Sequence, residues 1–369
     1  MGIYQELGVS PIINAAGTYT VLGGSRMSEK TLADMAGAAR DFIPIRELQA
    51  AIHRELAVLT RNEAAYVPNG AATGLYLAVA AAIEKRLGRR YYHLSREEIA
   101  GTNVVMFKAH RNPYDLVIGH LGAAYRELAF PNIILPPTEE DLEEALDDRT
   151  AAIYFAATGW AAPGFLPLER TIAVAKRKGV PVIVDAAAQL PPVENLWRFS
   201  EMGAAATLFS GGKDIMGPQA SGLMVGSRDL LDTVASIGFP NYGIGRMMKV
   251  GREEMVGLYS AVKQYVEMDH QARYDWCEAQ IAKILAALAD NALLRPSRTF
   301  PNEAGQPIAR AFVEMAVPGR KPEELQRHLK ENVPPIHAFT EDLNGVFINP
   351  MSLREGETEV VIDRLKSFK

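Results

Sequence analysis

Between Val104 and Phe209 short apolar runs alternate with stretches of helical period, and this alternation restricts the chain to an α/β architecture built on a parallel sheet. Val104–Phe107, Ile133–Leu135, Ala152–Ala156, Val180–Val184 and Ala206–Phe209 read as strands. Each is short and apolar on both alternating sets of side chains, which suits strands covered on two faces. Between them Thr138 caps a helix whose first turn is acidic (Glu139, Glu140, Asp141), as the helix dipole favours. Leu168–Lys178 is a helix stopped by Gly179. Strands separated by helices require right-handed crossovers, with helices on both faces of the sheet. Upstream, Ile45, Leu48, Ile52, Leu56 and Leu59 recur at helical spacing, and a loop from Tyr66 to Gly70 opens onto an Ala-rich helix through Leu87. Downstream, Val256–Tyr274 reads as a long helix that continues in register over Trp276–Leu288. Short strands and helices follow, with a last helix from Glu357.

At 369 residues the chain exceeds what one small core encloses. The expected division is an N-terminal segment over 1–45 packing on the small domain or a partner subunit, a large domain over 46–250, and a linking helix with a small C-terminal domain over 251–369. A net charge of −5 provides no general basic field for a polyanion, so nucleic acid is not an expected partner. Cys277 is the only cysteine, which rules out an intrachain disulfide and a Cys-based metal cluster and fits a reducing cytoplasm. Met1–Ser10 lacks the apolar run of a signal peptide. Ala71–Ile83, interrupted by Thr73, Gly74 and Tyr76, falls short of a membrane span. The expectation is a cytoplasmic protein with no membrane partner and no metal.

Open α/β sheets bind ligands beyond the carboxyl ends of their strands, and three features lie there or at a helix start. Asp185 directly follows the run Val180–Val184. A carboxylate in that position can hold a proton on a pyridine nitrogen, which makes the ring an electron sink; by itself it would equally be a helix cap. Ser210–Gly211–Gly212–Lys213 follows the next run, 28 residues on (213 − 185). A lysine on a glycine turn at a strand end can be desolvated for nucleophilic use, although a lone lysine is ordinarily a solvated surface charge. Asn69, Gly70, Ala71 and Ala72 open a helix, where small residues let backbone N–H groups approach a phosphate. Many loops enter helices this way, but the three features together describe pyridoxal 5′-phosphate (PLP).

The segment from Thr207 through Lys213 to Gly226 resembles the lysine region of the L-seryl-tRNA(Sec) selenium transferase (selenocysteine synthase) superfamily, and within it the smaller D-glucosaminate-6-phosphate ammonia-lyase-like members. Ile13–Gly17, Val182–Ala188 and Gly243–Glu253 carry further likeness, which runs over nearly the whole chain. The resemblance implies the PLP-dependent transferase fold type I, aspartate-aminotransferase-like, with a large mostly parallel sheet domain and a small α/β domain. It implies that Lys213 carries PLP as a Schiff base, that Asp185 pairs with the pyridine nitrogen, and that Ser210 binds phosphate. Ala187 would pack against the ring and His110 would lie near it. Arg246 is implied at an active-site or intersubunit position, and Arg354 where fold relatives bind a substrate α-carboxylate. Surface placement is the alternative for both. Arg26 and Arg46 are candidates without a motif, and Lys108 and Lys249 are either acid–base groups or solvated charges.

The implied reaction is α,β-elimination from a small polar hydroxy amino acid to a 2-oxo acid and ammonia, with His110 as the acid for the departing hydroxyl. Racemisation, epimerisation or aldol cleavage use the same carbanion and stay open. The selenium transferases carry additional N-terminal sequence for tRNA recognition. This chain opens near the catalytic core and is acidic, so a small molecule rather than tRNA is the expected substrate. The family also implies a homodimer or higher homo-oligomer.

Overall fold

A computed structural model describes residues 2–130, 133–157, 159, 164–341 and 343–369. In chain order its strands are β1 (Ile13–Asn14), β2 (Ala64–Tyr66), β3 (Asn103–Phe107), β4 (Ala124–Leu128), β5 (Thr150–Ala156), β6 (Val182–Asp185), β7 (Ala206–Ser210), β8 (Gly222–Gly226), β9 (Leu294–Thr299), β10 (Arg310–Met315), β11 (Ile336–His337) and β12 (Gly345–Ile348). The chain forms two units. One spans Met27–Met268; the other joins the residues up to Arg26 with Asp269–Lys369.

The larger unit holds a seven-stranded sheet in the order β2-β8-β7-β6-β5-β3-β4. Its strands run parallel except β8, which is antiparallel to both neighbours. Alternate residues enter opposite cores, as strand geometry requires. On β5, Ile153 and Phe155 join the cluster that includes Leu56, Ile172 and Leu258, whereas Ala152, Tyr154 and Ala156 join the one that includes Leu75, Val79 and Ile83. The helix Ala71–Leu87 is buried on nearly all sides, and its alanines let it lie close against the sheet.

Thr138 caps its helix with a reciprocal capping box to Asp141, and Gly179 ends Leu168–Lys178 in a left-handed conformation (φ 64°). Three expectations need correction. Ile133–Leu135 forms no strand and is exposed; the edge strand is β4, whose mixed Tyr125, Arg126 and Glu127 lack an evenly apolar signal. The long helix ends at Glu267, because Met268 is extended and the Asp269 side chain accepts from the Ala272 N–H to start a second helix, His270–Leu288. The division between units falls after Arg26 and after Met268 rather than after residues 45 and 250. The helix Glu29–Ala38 packs along Arg252–Glu267, tied by Ser28–Gln264 and Ser260–Asp34 hydrogen bonds of 2.8 and 2.6 Å.

In the smaller unit β12-β10-β9 form an antiparallel sheet, and β1 pairs in parallel with β11, placing Ile13 opposite Ile336. Among the described residues no helix is long and apolar enough to cross a membrane.

Candidate active site

Because β2, β3, β5, β6 and β7 point the same way, the loops that leave their carboxyl ends share one edge of the sheet, where β8 also begins. Asp185 is the last residue of β6, and Ser210 the last of the adjacent β7, with Lys213 three residues beyond. Asp185, Ala187 and Lys213 line one cavity with Asn112, Tyr114, Ala156, Ala157 and Ala188. The structure thus brings the two central sequence candidates together across neighbouring strands.

The turn holding Lys213 is tightly built. Gly211 N–H donates to Ser221 O (3.0 Å), and Met216 N–H to Lys213 O (3.0 Å). A Cβ at Gly212 would lie 2.7 Å from the Gln219 Cα, so a side chain there would force the turn open. Beside the lysine, buried Asp214 accepts from the Tyr265 hydroxyl at 2.8 Å.

Asp185 Oδ1 accepts the Ala187 N–H (3.1 Å) and Oδ2 the Tyr154 hydroxyl (3.2 Å). Burial pushes its carboxyl up, and the Ala187 N–H, the Lys213 charge and the Tyr154 hydroxyl act against that rise. Tyr154 and Asn112 escaped the sequence reading. The only signal for Tyr154 is one hydroxyl in the otherwise apolar run Ala152–Ala156.

His110 follows β3 and is 1 % exposed, with its ring centroid 4.4 Å from Phe155 and 4.6 Å from Phe165. Burial pushes it down to about 4, so the imidazole is neutral near neutral pH. Its Nδ1 accepts the Ala156 N–H at 3.4 Å, which leaves the proton on Nε2. An acid titrating near neutrality is therefore not what this side chain is.

After β2, Gly70 (φ 115°) caps the helix Ala71–Leu87, and Asn69, Gly70, Ala71 and Ala72 are half-buried. A Cβ at Gly222 would come within 2.7 Å of the Gly70 carbonyl carbon, so glycine there lets β8 pass against the loop. Ser210 is half-buried, its N–H donating to Ala187 O (3.3 Å). The arginines are less committed. Arg246 is exposed, 5.4 Å from the Phe239 ring and 5.8 Å from that of Tyr242. Arg354 is exposed in the smaller unit, and there Arg26 grips Glu357 with two hydrogen bonds of 2.8 Å. Arg46 bonds the Asn241 side chain, and Lys108 and Lys249 are exposed.

These residues fit PLP. Asp185 has hydrogen-bond donors on both oxygens, and Lys213 stands on the same cavity. His110 Nε2 and Asn69 Oδ1 are buried with no partner within the described structure, as expected of atoms facing a bound group.

Residues 134–261 match the family Aminotransferase class-V. A 5′-C-glycyluridine monooxygenase-decarboxylase from a Streptomyces species is 30% identical over 376 residues, covering 99% of this chain and 91% of that one. The chain belongs to the class-V aminotransferase family of PLP-dependent enzymes. Another member, the D-glucosaminate-6-phosphate ammonia lyase of Salmonella typhimurium, is 29% identical over 99% of this chain and 97% of its own. A solved structure of D-glucosaminate-6-phosphate ammonia-lyase superposes with a TM-score of 0.85 at 28% identity, covering 100% of this chain and 98% of that one. The fold is PLP fold type I, and this PLP enzyme spans nearly the full length of its relatives.

Proposed function

We propose that this PLP enzyme is a lyase that removes the Cα proton of a small polar hydroxy amino acid and expels the β-hydroxyl. The observation that carries the reading is the end-to-end likeness to an ammonia lyase in a chain that presents Asp185 and Lys213 on one cavity. PLP, when bound, supplies an electron sink for the negative charge developing at Cα.

Lys213 holds the cofactor covalently and, once released, takes the Cα proton on Nζ. The resulting ammonium is the acid for the departing hydroxyl, because His110 is held neutral. The water lost in elimination is matched by the water that hydrolyses the free enamine, so the products are a 2-oxo acid and ammonia. Asp185 keeps a proton on the ring nitrogen. Neutral His110 would offer an Nε2–H to the bound group, and the small side chain of Ala187 would leave room for the ring. Ser210 and the backbone N–H groups after Asn69, at Gly70, Ala71 and Ala72, receive the phosphate. Arg246 and Arg354 are the proposed readers of substrate anions, for which the forked guanidinium is suited. The enzyme works as a homodimer or larger homo-oligomer, with Gly243–Glu253 as the segment offered to a neighbouring subunit.

The test follows ammonia and 2-oxo acid release from hydroxy amino acids and amino sugar acids, phosphorylated and not, while borohydride reduction traps PLP on Lys213. Cα deuterium exchange without substrate loss would replace the lyase with a racemase, and release of an aldehyde with an aldolase. The Streptomyces relative motivates a second reading, and oxygen uptake coupled to carbon dioxide release would favour it.

A further inference from the structure

Asn112, Tyr154 and Asp185 form a chain of side chains whose two ends, Asn112 and Asp185, line the cavity. Asn112 Nδ2 donates to the Tyr154 hydroxyl at 2.8 Å and to His110 O at 2.9 Å. Its Oδ1 accepts the Tyr114 N–H at 2.8 Å. An amide oxygen occupied by an N–H, with two acceptors at the other end, has only one possible orientation. The Tyr154 oxygen therefore receives a hydrogen bond from Asn112, and its single proton is directed to Asp185 Oδ2, 3.2 Å away. Tyr154 is wholly buried on β5, so water offers its hydroxyl no alternative.

We infer that Tyr154 is a positioning residue: oriented by Asn112, it holds Asp185 as the ionised partner that keeps the cofactor ring nitrogen protonated. The inference rests on the PLP reading proposed above. A carboxylate and a pyridine nitrogen that share one proton divide it by relative basicity, and a hydrogen bond to the carboxylate makes it the weaker base. With Ala187 N–H on one oxygen and Tyr154 on the other, the shared proton stays on nitrogen. Without the phenol it moves toward Asp185. Burial and the nearby Asp185 charge push the Tyr154 hydroxyl well above its ordinary range, so it serves as a donor throughout. Asn112 also ties the loop carrying His110 to this carboxylate, so one amide sets two parts of the site.

The experiment uses holoenzyme reconstituted with PLP labelled with ¹⁵N in its ring, whose resonance separates protonated from neutral nitrogen. Wild type should give the protonated signal. Tyr154→Phe should move it toward neutral and weaken PLP binding by about tenfold, the order expected for losing one hydrogen bond to a charged group. Asn112→Ala should move both readouts in the same direction by less, and it carries the test if Tyr154→Phe fails to fold. In an Asp185→Asn background, Tyr154→Phe should change neither readout further, because its effect passes through Asp185. A wild-type ring-nitrogen signal in folded Tyr154→Phe, or additive effects of the two substitutions, overturns the inference. A wild-type protein that binds no PLP, or binds it away from Lys213, instead overturns the reading beneath it.

Discussion

In the smaller unit Arg310 is 7 % exposed and wedged between two carboxylates, Glu303 at 3.0 Å and Glu341, with its guanidinium 4.0 Å over the Phe347 ring. Tyr19 adds a hydroxyl to Glu303 at 3.3 Å. At the sheet edge Asp185 has neutral donors on both oxygens, Tyr154 and the Ala187 N–H, while its cationic neighbour Lys213 is the candidate cofactor lysine. Asp185 and Glu303 are both half-buried, and burial pushes both up. The smaller unit answers that pressure with a resident guanidinium, which serves the fold. The edge answers it with two neutral hydrogen-bond donors and the nearby Lys213 charge and opens onto a cavity, which leaves the carboxylate able to meet a cationic ring nitrogen. A buried acid already matched by arginine is structural; one matched by neutral donors and facing a cavity is available to a ligand.

The contrast breaks most readily at Asp185. Asp185→Asn keeps size and shape but cannot hold the ring proton. Turnover should fall roughly a hundredfold, the equivalent of losing a charge-assisted contact of about 1.5–3 kcal/mol. The thermal midpoint should scarcely move, and kinetics alongside a melting curve checks both. Near wild-type turnover with normal PLP occupancy would remove Asp185 from the site.

Arg310→Met should do the reverse. It strands Glu303 and Glu341 without their cation and should cost about 1.5–3 kcal/mol of stability, read from denaturant unfolding, while the folded enzyme keeps its activity. A cost under about 1 kcal/mol would mean that the cluster is already relaxed by water or protonation, and the comparison would lose its second term.

The smallest effect sharpens the picture of the edge. His110 and His53 are both pushed by burial to about 4, below the ordinary 6.5. Between those values the unfolded chain binds more protons than the folded one. The stability these residues contribute is therefore complete above about 6.5 and lost as pH falls toward about 4. His110→Phe, whose ring suits a pocket shared with Phe107, Phe155 and Phe165, should remove about half of that acid-side loss, leaving the His53 share. Melting temperatures followed across this range would show it, and an unchanged slope would mean that His110 is protonated in the folded protein.

Local chemistry made much of this protein legible without coordinates. Alternating apolar runs dictate a parallel α/β sheet, because only strands covered on both faces read that way. Thr138 and Gly179 mark helix ends through their own hydrogen bonding and backbone freedom. Asp185 and Lys213 stand out because one directly follows a strand-like run and the other sits on the glycine turn after the next, and parallel strands bring such ends to one edge. Other features depend on what lies across the fold. Tyr154 meets Asp185 from 31 residues away, and Asn112 meets Tyr154 from 42, through the order of β3, β5 and β6 in the sheet. The charge of His110 is decided by the aromatic rings that fold around it, and the limits of the two units by helix packing along Arg252–Glu267. Sequence determines what a segment does with its neighbours in the chain; pairings between distant segments, and the dielectric they create, exist only once the chain has folded.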